Sequence, residues 1–267
     1  MLIQTFLLRA RRPSIARFTS SADRIVAPSS TRQYTASLLA TRFPQLATQQ
    51  HTDNCDEDKR RVPVDVAMSI LRDSFASSGN QPYFGEPVTH EEHALQCATL
   101  AEAAGYGEDV IVAALLHDIG HICAPEGHPH MNTDGGPDVG VVDHETVGKD
   151  LLELLGCSTF VTELVESHVP SKRYLVSVDE EYKANLAEDS KRSLTFQGGF
   201  MSKEELQSFD AQNPELREVK IMFRSWDEKG KQPGTWTPPI EHFLPMVERH
   251  LEQEMGKVVT MRKNGKG

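Results

Sequence analysis

No stretch of this 267-residue sequence approaches the roughly 18 consecutive apolar residues of a membrane helix, so bilayer insertion is not expected. Aromatic residues are scarce at 7%, hydrophobic residues make up 38%, and mean hydropathy is −0.44, the balance of a soluble globular chain. The four cysteines (Cys55, Cys97, Cys123, Cys157) show no CxxC spacing, and Cys97 and Cys157 fall in helix-like segments. That pattern suggests reduced thiols rather than a disulfide framework. GxGxxG and P-loop signatures are absent, as are internal repeats and the period-two alternation of strands.

Acidic residues are nearly missing from one region only. Residues 1–50 hold seven arginines, no lysine and a single acid, Asp23, a net of +6 that leaves −17 for the remainder of a chain at −11. An arginine- and serine-rich, acid-poor start is the composition of a mitochondrial transit peptide, with a candidate processing site near Arg32-Gln33-Tyr34. Residues 1–60 are therefore set apart as a targeting or disordered segment, and 258–267 as a disordered tail. The acidic body argues against nucleic acid as a partner, because neutralising phosphates requires a basic face. Oligomeric state is not legible.

The body, 61–257, reads as one all-α domain. Val64 to Ser77 carries apolar residues at helical spacing, broken by Gly79-Asn80. Thr89-His90-Glu91-Glu92 is a capping box opening a helix that ends at Gly105. Glu108 and Asp109 begin VIVAALLHDIGHI, apolar all round and therefore central. His144 opens a helix ended by Gly156. Ser158 caps the next, which Pro170 is expected to stop after His168. Short helical signals fill 171–214. Pro214 starts a helix reaching Trp226-Asp227, and the last covers Ile240 to Met255.

Histidines and aspartates recur in order along these helices: His93, His117-Asp118, His144, His168 and Asp227. With eleven His and sixteen Asp the dipeptide His-Asp is expected about 0.7 times by chance, so it means little alone. Here it terminates VIVAALL, where an uncompensated buried carboxylate would be costly and a metal ion would compensate it. Imidazole with carboxylate suits iron, manganese or zinc better than calcium or magnesium. His90, His128, His130, His242 and His250 are assigned to surface or loops.

This series resembles the HD-domain superfamily, which implies a helical bundle with a buried dinuclear metal site. Carried over, His93, His117, Asp118 and Asp227 would hold one metal; His144, His168 and a bridging Asp118 would hold the other. The blocks Tyr83-Phe84-Gly85-Glu86, LLHDIGH (115–121), DHETVG (143–148), SHVPSKRYLV (167–176), FQGGFM (196–201) and RSWDEKGK (224–231) resemble, as an ordered set, the mixed-valent diiron oxygenases that cleave carbon–phosphorus bonds.

The resemblance implies an Fe(II)/Fe(III) pair, O2 as co-substrate, and a 2-amino-1-hydroxyethylphosphonate-like substrate yielding phosphate and glycine, or glycine betaine from the trimethylated analogue. Tyr83 would plug an iron position until substrate arrives, and Glu86 would contact the substrate amine. Lys172 follows His168 by four residues and Arg224 precedes Asp227 by three, so each cation is tied to a ligand and can meet a phosphonate. His121 is a third candidate for this role; Ser190 and Ser193 follow by family correspondence. Arg173, Lys191, Arg192, Lys229 and Lys231 are assigned to the surface. A metal-dependent phosphohydrolase acting on nucleotides or other phosphate esters uses the same ligands but gives no role to Tyr83 and Glu86. A silent ligand-binding HD module has no need to retain all six.

Overall fold

The computed structural model describes residues 62–132 and 136–264, with side chains through residue 257. The expected targeting segment and the side chains of the tail lie outside these residues. Eleven α-helices are described: α1 (Val64–Ser74), α2 (His90–Ala103), α3 (Glu108–Leu116), α4 (Ile119–Cys123), α5 (His144–Leu155), α6 (Thr159–Val178), α7 (Glu180–Asn185), α8 (Glu188–Phe196), α9 (Lys203–Asp210), α10 (Pro214–Lys229) and α11 (Ile240–Asn264). Extended pairing among the described residues is limited to two isolated bridges, Pro82–Thr89 and His130–Val141. No helix is long and apolar enough to cross a membrane among the described residues.

Local chemistry accounts for most boundaries. The Thr89 hydroxyl accepts from the Glu92 N–H at 3.1 Å while the Glu92 carboxylate accepts from the Thr89 N–H at 2.8 Å, a complete capping box. The α5 helix ends on Gly156 at φ 96°, a left-handed residue that glycine adopts without strain. Asn213 caps α10, with Pro214 at its first position. The interior is organised on α3, whose Val110 to Leu116 are all buried. The helices α2, α6 and α11 pack directly against it, α5 and α10 lie on α6, and α1 lies on α11. Each fully buried Val, Ile or Leu contributes about 1.5–3 kcal/mol.

Four expectations give way to tertiary context. The central helix is interrupted: α3 stops at Leu116, Asp118 sits at φ −101° and ψ 14°, and α4 restarts at Ile119. Pro170 does not end its helix. The α6 helix runs through it to Val178 because Val169, Ser171, Leu175 and Val176 are buried on the same rod, and that packing outweighs one lost backbone hydrogen bond. The α11 helix continues past Met255 to Asn264. Cys157 lies in the turn between α5 and α6, not in a helix. Cys97 and Cys157 are free and buried, as expected of reduced thiols, and the buried Cys123 donates to the Ser74 hydroxyl at 3.2 Å.

Candidate metal centre

The break between α3 and α4 is where the site begins. His117 caps α3 with helical dihedrals and Asp118 leaves them, and both face a space bounded by α2, α5, α6 and α10, into which His93, His144, His168 and Asp227 also point. All six are 7% exposed or less. A close approach makes this possible: Gly120 of α4 lies so near α5 that a Cβ there would meet the His144 carbonyl oxygen at 1.9 Å.

Four imidazoles are held in the same way. Each turns Nδ1 to a backbone carbonyl: His93 to Gly230 at 2.8 Å, His117 to Ala114 at 2.9 Å, His144 to Val141 at 3.3 Å and His168 to Val165 at 2.6 Å. With Nδ1–H donating, each neutral ring presents a bare lone pair at Nε2. These lone pairs face one another, His93 to His117 at 3.1 Å and His144 to His168 at 2.9 Å. Two lone pairs at such distances repel unless a cation lies between them.

The Asp118 carboxylate divides between the two pairs. Oδ2 lies 3.5 Å from His93 Nε2 and 3.4 Å from His117 Nε2; Oδ1 lies 3.6 Å from both His144 Nε2 and His168 Nε2. Asp227 Oδ1 closes the first group, 3.4 Å from His93 and 3.9 Å from His117. Metal–nitrogen bonds of about 2.0–2.1 Å at a right angle put two donors about 3 Å apart, so both nitrogen pairs suit first-row metals. The donors fit two cations bridged by Asp118.

The electrostatics agree at Asp118, Asp227, His117 and His168. At His93 burial is outweighed by the neighbouring Cys97 and the bonds to Asp118 and Asp227, which raise the imidazole, a pull that a metal ion would replace. Burial opposes charge on Asp118, yet the surrounding histidines, His117 and His93 foremost, hold its carboxyl well below the usual range. Asp227 is likewise held low against burial, chiefly by Arg224. Burial, with His144 next, drives His168 down to about 3, and burial also lowers His117. Neutral histidines and ionised carboxylates are the forms that ligate.

Two neighbours are not arranged as ligands. Cys97 lies beside His93 and His117 and could complete a group with them, but its Sγ sits 3.8 Å from His93 Nδ1 and 4.0 Å from Nε2 and donates to the Trp226 carbonyl. Burial keeps the thiol protonated. His121 stacks on His144 with ring centres 3.8 Å apart, and its Nδ1 accepts from the Val141 N–H at 3.1 Å. That bond fixes the opposite tautomer, with Nε2–H as a donor rather than a lone pair.

Tyr83 caps the first group. Its ring stacks on His93 at 4.3 Å and its hydroxyl donates to Asp118 Oδ2 at 2.6 Å. Burial, then Asp118, pushes the phenol well above its ordinary value, so it stays protonated. The loop holding it is tightly closed: Tyr83 N–H bonds Val88, Glu86 N–H bonds Tyr83, and Phe84 and Gly85 both adopt positive φ, at 35° and 82°. A positive φ at phenylalanine is strained and persists only where surrounding contacts impose it.

The cavity beside this plug is lined by Tyr83, Glu86, His121, Lys172, Arg224 and Lys231, with Ser190 and Ser193 on the α8 side. Its volume is about 40 Å³, room for about three or four waters at about 10–15 Å³ each. Lys172 donates to Ser193 at 3.0 Å, and burial, with Arg224 next, lowers its ammonium to about 7. Arg224 is already committed, to Asp227, to Glu228 and, through Nε, to the Tyr182 hydroxyl at 2.8 Å.

Every candidate from the sequence thus lies at one site, and three surface assignments are corrected. Lys231 is 8% exposed and lines the cavity, 3.1 Å from Ser190 Oγ. It follows Asp227 by four residues, the reasoning that singled out Lys172, although α10 ends before it. His90 is buried against Tyr83 and Phe84, one helical turn before His93, and that i, i+3 spacing was available. His250 is also buried, bonding Asp109 far from the site.

Comparison with known proteins follows the same lines. The HD-domain family description matches residues 91–196. The chain is 43% identical, over 68% of its length and 89% of the relative, to the glycine-betaine-forming 1-hydroxy-2-(trimethylamino)ethylphosphonate dioxygenase of Leisingera caerulea. It is 40% identical to the hydroxymethylphosphonate dioxygenase of Gimesia maris, over 64% of the chain and 82% of that protein.

Proposed function

This chain belongs to the HD-domain phosphonate dioxygenases, and from that premise we propose that it uses O2 to cleave the C–P bond of a 2-amino-1-hydroxyethylphosphonate-like substrate, releasing phosphate and glycine, or glycine betaine from the trimethylated analogue. The observation that carries the reading is the Asp118 carboxylate shared between two facing pairs of imidazole lone pairs. Two irons in unequal oxidation states, one held by His93, His117, Asp118 and Asp227 and the other by Asp118, His144 and His168, would supply the redox chemistry with O2. Atom balance fits a dioxygenase. A hydroxyphosphonate plus O2 becomes a carboxylate, phosphate and one proton, with one added oxygen on carbon and one on phosphorus.

The protein's own groups bind, orient and exclude. Tyr83 and its loop must withdraw before substrate enters, since about 40 Å³ admits no phosphonate. The hydrogen bond to Asp118 makes that withdrawal selective, because only a ligand that replaces it offsets its loss. Lys172 and Arg224, with the Ser190 and Ser193 hydroxyls, receive the phosphonate oxygens; binding a dianion favours the charged form of Lys172. His121 donates from Nε2–H to a substrate oxygen, and Glu86 faces the substrate amine.

The phosphohydrolase alternative shares the metal ligands but leaves the plug unexplained. Iron-loaded protein given 2-amino-1-hydroxyethylphosphonate decides between them. Phosphate release that stops under nitrogen, with one O2 consumed per phosphate, is expected; release that continues without O2 refutes the oxygenase.

A further inference from the structure

Lys231 sits just beyond α10, and the chain there is fastened to α2: the Gln96 side chain accepts from the Gln232 N–H at 3.0 Å and donates to its carbonyl at 2.9 Å. This places the Lys231 ammonium inside the cavity, 3.1 Å from Ser190 Oγ, 3.5 Å from Glu86 Oε1 and 5.7 Å from the centre of the Tyr83 ring. Glu86 Oε1 is buried and accepts no hydrogen bond among the described residues; the ion pair with Lys231 is what compensates it. The other two cations are engaged elsewhere, Lys172 with Ser193 and Arg224 with Asp227, Glu228 and Tyr182.

We propose that Lys231 determines substrate specificity: it is the resident cation of Glu86, which an ammonium-bearing phosphonate must displace and which an amine-free hydroxyphosphonate leaves in place. The inference rests on the reading above that the cavity takes hydroxyphosphonates. One carboxylate faces two candidate cations. With an amine-free ligand the Glu86–Lys231 pair stays intact and no buried charge is left alone. With an aminophosphonate the substrate ammonium takes Glu86, and Lys231 turns to the phosphonate oxygens beside Ser190. Specificity is a difference between two affinities, and Lys231 narrows that difference so that both ligand types are accepted. Without it, the buried Oε1 of Glu86 has no cation but the substrate's own.

The test measures dissociation constants by calorimetry under nitrogen, on metal-loaded protein, for 2-amino-1-hydroxyethylphosphonate and hydroxymethylphosphonate. In Lys231→Gln, and in Lys231→Met should the first fold poorly, the preference for the amine is expected to rise about tenfold over wild type. In Glu86→Gln it is expected to fall, because Lys231 is released to the phosphonate of either ligand. The two effects should be non-additive in the double variant. Lys231 variants that weaken both ligands by the same factor, or neither, overturn the proposal. Loss of oxygen-dependent phosphate release from both compounds would instead overturn the assigned reaction, while the ratio of binding constants still decides the role of Lys231.

Discussion

A single methyl group at Gly120 should remove one metal and leave the other. The Cβ of Gly120→Ala would lie 1.9 Å from the His144 carbonyl oxygen and 2.8 Å from the Gly148 nitrogen, both backbone atoms that cannot rotate away. Helices α4 and α5 must part by about 1.5 Å to bring that approach to an ordinary contact. His144 is the first residue of α5, so its Nε2 moves with the helix, away from His168 at 2.9 Å and Asp118 Oδ1 at 3.6 Å. Overpacking of this kind costs about 1–3 kcal/mol, more where backbone is struck, against about 1 kcal/mol gained in helix propensity. A net loss of about 2 kcal/mol lowers Tm by about 4–8 °C in a domain of this size. Metal analysis should fall from two equivalents to one, with activity down about 100-fold, since 1 Å of misplacement has that effect. Gly148→Ala is the control across the same contact. Its Cβ meets neighbours at 3.3–3.5 Å, so stability should stay within about 1 kcal/mol and both metals remain. A Gly120→Ala protein with wild-type Tm and two metals would refute the reasoning.

Three further outcomes follow from the geometry. His168→Ala leaves Asp118 Oδ1 with His144 as its one remaining imidazole on that side, so bound iron should drop to about one equivalent and turnover should vanish; full iron content would contradict the two-site assignment. Tyr83→Phe deletes a hydrogen bond to a buried carboxylate, a bond worth about 1.5–3 kcal/mol, and leaves the six histidines and aspartates of the site in place. Two metals should persist while oxygen uptake without substrate rises several-fold; uptake unchanged in an oxygen electrode would end the plug idea.

Lys172, lowered by burial and then by Arg224 to about 7, gives a pH signature. The unfolded chain keeps this proton up to about pH 10.4, so between about 7 and 10.4 the residue's contribution to stability rises with pH, while its attraction for a dianion fades above about 7. Anaerobic phosphonate binding by wild type relative to Lys172→Gln should therefore be strongest at pH 6 and decline through pH 8. A ratio independent of pH would refute it.

The candidate site was unusually legible because its candidate ligands are declared by residue type. His93, His117, Asp118, His144, His168 and Asp227 stand out as polar residues on otherwise apolar helices, and all six converge within 7% exposure or less. Tyr83 and Glu86 were legible only through the ordered blocks around them, for nothing local distinguishes a plug from a packed aromatic. Lys231 and His90 were missed because surface residue types were assigned to the surface; the contacts that hold them inside come from Ser190 and Glu86 in one case and from Tyr83 and Phe84 in the other.

Helical periodicity, capping residues and the order of ligands are properties of neighbouring residues, and the sequence by itself determined them. The rest depends on groups far apart in the chain. Which Asp118 oxygen serves which histidine pair, which tautomer His121 adopts, why α6 passes through Pro170 and why Lys231 lies inside were decided only by packing. Each of those outcomes is set by a partner from another segment, whether a carbonyl, an N–H or an apolar face, and local periodicity carries no information about such a partner.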